Sequence, residues 1–360
     1  MSNLLRSAAL PQQYDRLTTP RIMWGVTFAL LPSLFWGLYQ YGAPAIALFV
    51  VILTVALLSE TVFSAFLNRG SISDGNSVMI AVMLTAGFPP GTPILLGGSA
   101  AFFAVAVVKW TFGGTGAYWV NPIAGGYVFA VISYPAFGGE WLLPRALGGP
   151  APVSASPLQL VQRATVENPT RLAEAFLQSA DLETTGLDQQ LTRLINNVGG
   201  QIHGLRMPPG YGDLFLGNAP GTIGGASVAL LLLGTLFLYG GMIISGRIPF
   251  FFVLSFSLIV YAFGGLPFGG RLLTGDVLFH LLTGATVLGA FFIATETVSS
   301  PLTGGGMIIY AILTGLMAGL FRVYGVGIHA VFLAIFLGNM FVPLIDRFSM
   351  PRRYGHRRLR

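Results

Sequence analysis

Five ionisable side chains sit inside otherwise apolar runs, and any chemistry would have to start from them: Glu60 in LLSETVF, Lys109 in VVKWTF, His280 in FHLLTG, Glu296 in IATETVSSP and His329 in GIHAVF. A charge in hydrocarbon is costly, so such residues pair with one another, reach water, or serve ions, protons and cofactors. The carboxylates Glu60 and Glu296 are the candidates for ion coupling. Plainer readings stay open for all five. Lys109 can snorkel to the cytoplasmic interface, the two glutamates can meet water at helix ends, and the histidines can be ordinary buried side chains. One histidine in each of two spans permits a bis-histidine haem in principle, but no spacing pairs them.

Two helix-opening phrases add uncharged polar groups. Asp74 to Val78 reads DGNSV, and Thr283 to Val287 reads TGATV. Small and hydroxylated residues at a helix start leave backbone N–H groups for a phosphate or an electron-rich ring carbonyl. Gly75, Asn76 and Ser77 therefore form one candidate binding segment, and Thr283, Gly284 and Thr286 another. Helix capping and close packing through small residues account for the same pattern. The run PVSASPL at 152–158 offers hydroxyls on an exposed turn before a helix start. No catalytic triad, Walker loop or metal-ligand spacing occurs, and GGTG at 113–116 has no strand before it to make a dinucleotide fingerprint.

The elements that must hold these residues follow from composition. Hydrophobic residues make up 54% of the 360 and charged ones 9%, a balance that a water-exposed surface does not tolerate. In hydrocarbon every backbone N–H and C=O must be met within the protein, and long apolar runs containing Gly and Pro suit helices, not a closed barrel. Spans of the required length fall at about 22–40, 43–67, 75–89, 92–112 and 121–139, then at about 222–243, 248–265, 276–295, 304–321 and 326–345. The expected fold is an all-α membrane protein of about ten transmembrane helices. Its parts are a cytoplasmic N-terminal segment (1–21), a first five-helix repeat (22–139), a polar loop region (140–221), a second five-helix repeat (222–345) and a basic tail (346–360).

Orientation follows from Lys and Arg, which stay on the cytoplasmic side. With the N-terminus inside, Arg6, Arg16, Arg21, Arg69, Lys109, Arg247, Arg347 and the tail RRYGHRRLR fall inside, while Arg271 and Arg322 fall outside. The acid-rich 140–221 loop, with Glu140, Glu167, Glu174, Asp181, Glu183 and Asp188, then lies in periplasmic water. Both termini are cytoplasmic in a bacterial-type inner membrane, and no removable signal peptide is expected. The net charge of +6 comes from helix ends and the tail, which points to membrane orientation and away from nucleic acid. With no cysteine, this chain supplies no thiolate to an iron–sulfur cluster, so any redox centre it carries is organic or haem. A weak internal repeat relates DGNSV to TGATV and Gly114-Thr115-Gly116 to Gly325-Val326-Gly327. Five spans per half make the two halves inverted, an arrangement that places binding sites at broken helices near the repeat interface.

Several phrases together resemble one family, that of RnfD, a membrane component of the Rnf electron-transport complex, and of its relative NqrB in the sodium-pumping NADH:quinone reductase. They are TTPRIMW at 18–24, KWTFGGTGAYWVNPIAGGYVFAVISYP at 109–135, GNAPGTIG at 217–224, TGATVLGAFFIATETVSSP at 283–301 and VPLIDRFSMPRRYGHR at 342–357. The resemblance implies a flavin-carrying membrane subunit that passes electrons across the membrane within an ion-pumping complex of the ferredoxin:NAD+ oxidoreductase type, coupled to Na+ or H+. It implies FMN esterified through its phosphate to a hydroxyl by a flavin transferase. The matching phrase is Ser154-Ala155-Ser156-Pro157-Leu158, which puts Ser156 in the acceptor place, while the acidic residue usual in the phrase is replaced by Pro150. It also implies a second, non-covalent flavin, riboflavin or FMN. One flavin is expected near Ser156 and Thr283, Gly284 and Thr286 toward the periplasm, the other near Gly75, Asn76, Ser77, Lys109 and Asn121 toward the cytoplasm. Expected partners are a periplasmic flavin subunit, iron–sulfur subunits, the flavin transferase and membrane lipid. A secondary transporter or channel for a small solute would suit inverted repeats and broken helices as well, and would be colourless.

Overall fold

The computed structural model describes residues 18–67, 72–134, 141–149, 152–153, 155–163, 169–203, 207–325 and 327–350. Arg6, Arg16, Arg69, Glu140, Pro150, Ser154, Glu167 and the tail beyond 350 lie outside the described residues. The chain is built of helices: α1 (Thr19–Tyr41), α2 (Ala43–Leu67), α3 (Asn76–Gly87), α4 (Ile94–Trp110) and α5 (Pro122–Ser133) come first. Four shorter helices follow, α6 (Pro157–Arg163), α7 (Leu172–Ala180), α8 (Gly186–His203) and α9 (Tyr211–Leu216). The last group is α10 (Val228–Gly240), α11 (Arg247–Phe263), α12 (Val277–Leu282), α13 (Thr286–Leu288), α14 (Gly304–Val323) and α15 (Ala330–Ser349). Five helices, α1, α2, α11, α14 and α15, are long and apolar enough to cross a membrane, and α3, α4, α5 and α10 are shorter apolar helices.

Local chemistry sets the helix starts. Pro20 stands in the first turn of α1, where its missing N–H costs nothing. The side chains of Asn121, Ser227, Asp276 and Thr303 each accept a backbone N–H at the opening of α5, α10, α12 and α14. Inside the apolar helices Thr27, Thr85, Thr235 and Thr314 donate their hydroxyls to the carbonyl four residues back, so these hydroxyl protons are met within the core. The outer faces stay apolar: Phe28, Phe35, Val50, Leu58 and Phe66 on the first two helices, and Phe250, Leu254 and Leu258 on α11, are exposed large hydrophobics. Such a surface suits lipid or the apolar face of a partner subunit.

The groups pack into one core. Helix α1 lies on α3 and α10, α2 on α3 and α4, α11 on α14, and α15 on both α14 and α5. Residues 217–227 are irregular and buried, where a helix from about 222 is expected from hydropathy. Their backbone is satisfied by protein: Ile223 N donates to Phe88 O (2.9 Å), Gly224 N to Ala86 O (3.0 Å), and Ser33 Oγ donates to Gly224 O (2.6 Å). Non-helical backbone at membrane depth is tolerated only when buried in this way. Gly37 makes the approach possible, because a Cβ there would fall 1.7 Å from Ile223 O.

The polar middle region is less solvated than its acids suggest. Trp141–Leu142 and Pro152–Val153 pair as a two-residue antiparallel ribbon. Asp188, expected in water, is fully buried and accepts from Gly210 N, Gly212 N and Asp213 N. Its charge is spent on orphan backbone donors at the start of α9, a common use for a buried carboxylate. Asp276, which caps α12, also accepts from Leu172 N and from the Tyr211 hydroxyl, so it ties the middle region to the apolar helices.

Candidate functional site

The expected site residues gather into two buried clusters. In the first, Glu60 Oε2 accepts from Lys109 Nζ (2.9 Å), Ser77 Oγ (2.8 Å) and Trp110 Nε1 (2.8 Å), and Lys109 Nζ also donates to Ser77 Oγ (3.1 Å). Lys109 is 0% exposed and Glu60 1%. Neither reaches water, which settles against snorkelling and against a solvated helix end. Lys109 is consequently a partner of Glu60 and not a loop charge that orients the chain. It is delivered by a π-helical stretch, Phe103–Trp110, whose wider turn places Lys109 and Trp110 together on Glu60.

One residue before Ser77 the cluster continues toward the second half of the chain. Asn76 Nδ2 donates to Tyr118 OH (3.2 Å), and Tyr118 OH donates to Glu296 Oε1 (2.9 Å). Glu296 is buried, and its oxygens also accept from Val298 N, Ser299 N and Ser299 Oγ. Helix α3 therefore presents Ser77 to one carboxylate and Asn76 to a tyrosine that holds the other. Gly75 starts the helix with φ +75°, and Asn76 N already donates to Asp74 Oδ1 (2.9 Å). Asn121 stands nearby in sequence but serves differently. Its Oδ1 caps α5, and its Nδ2 donates to Ile293 O (2.9 Å), three residues before Glu296.

The second cluster surrounds the break between α12 and α13. Thr283 ends α12, Gly284 has φ +73°, and Thr286 opens α13 while donating to His280 O (3.1 Å). Arg322, expected on the outer surface, is instead 1% exposed within α14 and donates from Nη2 to Thr283 O (3.0 Å) and Thr283 Oγ1 (2.6 Å). His280 is buried beside this break, and His329 Nδ1 shares a hydrogen bond with Tyr127 OH (3.0 Å). His329 is thus engaged with Tyr127, whereas neither His280 nitrogen carries a hydrogen bond. Ser156 is a third location. It is 1% exposed and caps α6 reciprocally, Ser156 N to Gln159 Oε1 (2.9 Å) and Gln159 N to Ser156 Oγ (3.2 Å). Helix α6 contacts the turn Gly327–His329.

Sequence reasoning missed Tyr118, Trp110 and Arg322. Arg322 had a legible signal, a lone cation in the apolar run GLMAGLFRVYG, but its place near the end of a span made a loop position look natural. Tyr118 carries no charge and gave none.

Both clusters sit within the stretch that known proteins share with this one, since a family model described as NQR2, RnfD, RnfE matches residues 7–355. This chain belongs to the NQR2, RnfD, RnfE family. Among its relatives in this family is the RnfD-type component, lettered D, of the proton-translocating ferredoxin:NAD(+) oxidoreductase complex of Clostridium ljungdahlii, 30% identical over 357 residues, which cover 99% of this chain and 98% of the relative. The corresponding component of the Na(+)-translocating ferredoxin:NAD(+) oxidoreductase complex of Acetobacterium woodii is 30% identical over 354 residues, 98% of this chain and 95% of the relative. That of an ion-translocating oxidoreductase complex of Stutzerimonas stutzeri is 32% identical over 347 residues, 94% and 93% of the two chains.

The flavin implied for the NQR2, RnfD, RnfE family by resemblance can be tested against the residues present. Buried polar groups in folded proteins are nearly always hydrogen-bonded. Here Glu60 Oε1 and Asn76 Oδ1 in the first cluster, and both His280 nitrogens and Arg322 Nε in the second, are buried without a hydrogen bond. These are unmet acceptors on one side and unmet donors or acceptors on the other, the kind of group that ring carbonyls, a ring N–H or ribityl hydroxyls would take up. Leu282 and Val287, on either side of the break, line an apolar cavity of about 490 Å³ that also touches Tyr211, Phe215 and Phe291, whereas Thr283, Gly284, Thr286, His280 and Arg322 are not in its wall. The unmet polar atoms match the polar edge of such a group.

Proposed function

We propose that this chain is the RnfD-type membrane component of an ion-translocating oxidoreductase complex of the ferredoxin:NAD+ type, and that it carries flavin and passes electrons across a bacterial inner membrane. The observation that carries this reading is the pair of buried clusters with unmet polar atoms, in a chain aligned from end to end with the corresponding components of such complexes. About ten spans in two inverted five-helix halves, both termini cytoplasmic and the 140–221 region periplasmic, would set the clusters toward opposite membrane faces.

Bound flavin would supply one-electron carriage, with its potential set by hydrogen bonds and local charge. The chain's own residues would hold it. Thr283, Gly284 and Thr286 with Arg322 and His280 would form the periplasmic-side site, and Gly75, Asn76, Ser77 and Lys109, with Asn121 bracing α5, the cytoplasmic-side one. Ser156 would carry FMN as a phosphoester. Its Oγ acts in the helix cap only as an acceptor, so an ester oxygen keeps that role. Because the side chain is buried, attachment would precede the docking of α6. Iron–sulfur chemistry would reside in neighbouring subunits, since this chain has no cysteine to ligate a cluster.

Glu60 and Glu296 are the carboxylates through which electron passage would be felt by Na+ or H+. An electron on one side changes the charge balance of a low-dielectric network, and the two carboxylates approach one another through Ser77, Asn76 and Tyr118. Complexes with Glu60→Gln and with Glu296→Gln should turn over while moving fewer ions per electron. Normal pumping by both would remove the carboxylates from the mechanism.

The direct test of the flavin reading is to co-express the chain with a flavin transferase, resolve it on a denaturing gel and look for flavin fluorescence. A fluorescent band that Ser156→Ala abolishes is the expected result. No flavin in the chain or in the assembled complex would overturn the reading in favour of a solute transporter.

A further inference from the structure

We propose that the apolar cavity walled by α8, α9, α10, α11 and α12 is a phospholipid site: one acyl chain fills it, an ester carbonyl accepts from the Thr192 hydroxyl, and the headgroup stays at the polar side of α8 beside Arg193. The inference goes beyond the flavin reading and does not depend on it.

The order of chemistry along the cavity matches such a molecule. Helix α8 puts Leu187, Leu191, Leu194 and Ile195 on one face and Gln189, Arg193 and Asn196 opposite. Leu187 and Leu194 are 59% and 62% exposed, and a helix divided in this way lies along a membrane surface. Asp188 fixes it there by accepting from three backbone N–H groups at the start of α9. Arg193 has no ion pair among the described residues, where the pairs are Lys109 with Glu60 and Arg171 with Glu174. Thr192 lines the cavity, and its Oγ1 is buried without a hydrogen bond. The threonines of the apolar helices return their hydroxyls to the carbonyl four residues back, as Thr27 and Thr235 do, whereas Thr192 keeps its own for another acceptor. Past Thr192 the wall is apolar as far as Phe291, and the Tyr211 hydroxyl is already given to Asp276.

Size and access single out an acyl chain. The cavity holds about 490 Å³, inside the range of about 300–1,000 Å³ usual for small-ligand sites, and its apolar wall gives water no partners. Three wall residues, Ile195, Phe215 and Leu278, are themselves exposed and mark the mouth. Leu232 on α10 and Val253 on α11 each adjoin an exposed leucine, Leu233 and Leu254, so the cavity borders the outer apolar surface of the helices. Leu282 and Val287 line it too but are only 8% and 7% exposed, so they mark its floor. A transmembrane helix, about 10–12 Å across with its side chains, can cover the mouth without reaching that floor. A single methylene chain reaches it, and supplies contact atoms to walls that otherwise have none.

The experiment reconstitutes the full chain in vesicles of phosphatidylethanolamine and phosphatidylglycerol containing a phospholipid with a diazirine midway along one acyl chain. After illumination, labelled residues are mapped by peptide mass spectrometry. Exposed Leu254 and Leu258 on α11 report ordinary contact with bulk lipid. Label on Leu282 and Val287, at a yield comparable to theirs, is the expected result. Leu232→Trp, which fills the cavity, should lower that label at least about tenfold relative to α11. Leu236→Trp, at a 70% exposed position on the same helix, should leave it unchanged. Thr192→Val should lower it about three- to tenfold, as the loss of a neutral hydrogen bond does, and Arg193→Gln less, because an exposed charge pair contributes little. Label on α11 with none on Leu282 or Val287 would overturn the proposal, as would equal label in Leu232→Trp. Label abolished by a trace of added isoprenoid quinone would overturn it in favour of a quinone tail. Label lost when the chain is assembled with its neighbouring subunits would mean that one of them covers the mouth, which also overturns it. If Leu232→Trp does not fold, the unmutated chain and Thr192→Val decide.

Discussion

Removing Lys109 tests the first cluster most sharply, because the structure states what is left behind. Glu60 Oε2 would keep Ser77 and Trp110 as neutral donors, Oε1 would still have none, and no cation would remain. Breaking a buried ion pair from one side costs about 3–5 kcal/mol, because it strands a charge in a medium that cannot solvate it. At roughly 2.1 cal/mol/K of unfolding entropy per residue over the whole chain, that cost corresponds to a fall in Tm of about 4–7 °C. Lys109→Met should show this fall in detergent by intrinsic fluorescence, and Glu60→Gln should show a comparable one. The double variant should lose less than either single change, since no charge is stranded and Ser77 and Trp110 can still donate to the glutamine carbonyl. Three variants melting within about 1 °C of the parent would refute the reasoning, because coupled neighbours do not behave additively at zero.

Two further outcomes follow from the same geometry. Tyr118→Phe removes the hydroxyl that joins Asn76 to Glu296. It should cost about 1–3 kcal/mol, as expected for buried partners left unmatched. In reconstituted vesicles it should lower ions moved per electron while turnover persists, and an unchanged ratio would disconnect Tyr118 from coupling. Thr286→Val removes the hydroxyl that bridges to His280 O across the helix break. It should lower flavin occupancy or shift the potential, so an unchanged redox titration with full flavin would sink the assignment of Thr286 to a flavin site.

What the sequence made legible was the membrane solvent and the candidate charges. Apolar runs and scarce charge imply helices in lipid whatever their packing, and Glu60, Lys109, Glu296, His280 and His329 announce themselves because each is expensive where it stands. What it could not reveal was pairing. Glu60 and Lys109 are 49 residues apart, and Tyr118 and Glu296 178 apart, so only the fold brings them together. Hydropathy also extended a helix into 222–227, since buried irregular backbone looks the same to an apolarity count as a helix does. Its carbonyl and N–H partners at Ala86, Phe88 and Ser33 are visible only in three dimensions. The acids of the middle region misled for the opposite reason. Asp188 is polar, and polar usually means solvated, but here it is a buried hub for backbone donors.

The departures from regular α-helix fall beside the same two clusters. Continuous helices satisfy their backbone at least cost in lipid, so each interruption needs a reason. Gly75, in the left-handed region, precedes Asn76 and Ser77. The π-helical Phe103–Trp110 ends on Lys109 and Trp110. The gap between Leu282 and Thr286 holds Thr283 and Gly284 against Arg322. A second π-helical stretch, Gly289–Ile293, stops three residues before Glu296, where Asn121 takes its last carbonyl. Single π turns concentrate at functional sites because they rotate following side chains out of helical register. In this chain both stretches lead into the first cluster, one ending on Lys109 and Trp110 and the other just before Glu296. A purely structural scaffold would gain nothing from breaking helices beside its buried charges, whereas a subunit that must hold polar cofactors and respond to their charge needs these side chains aimed inward.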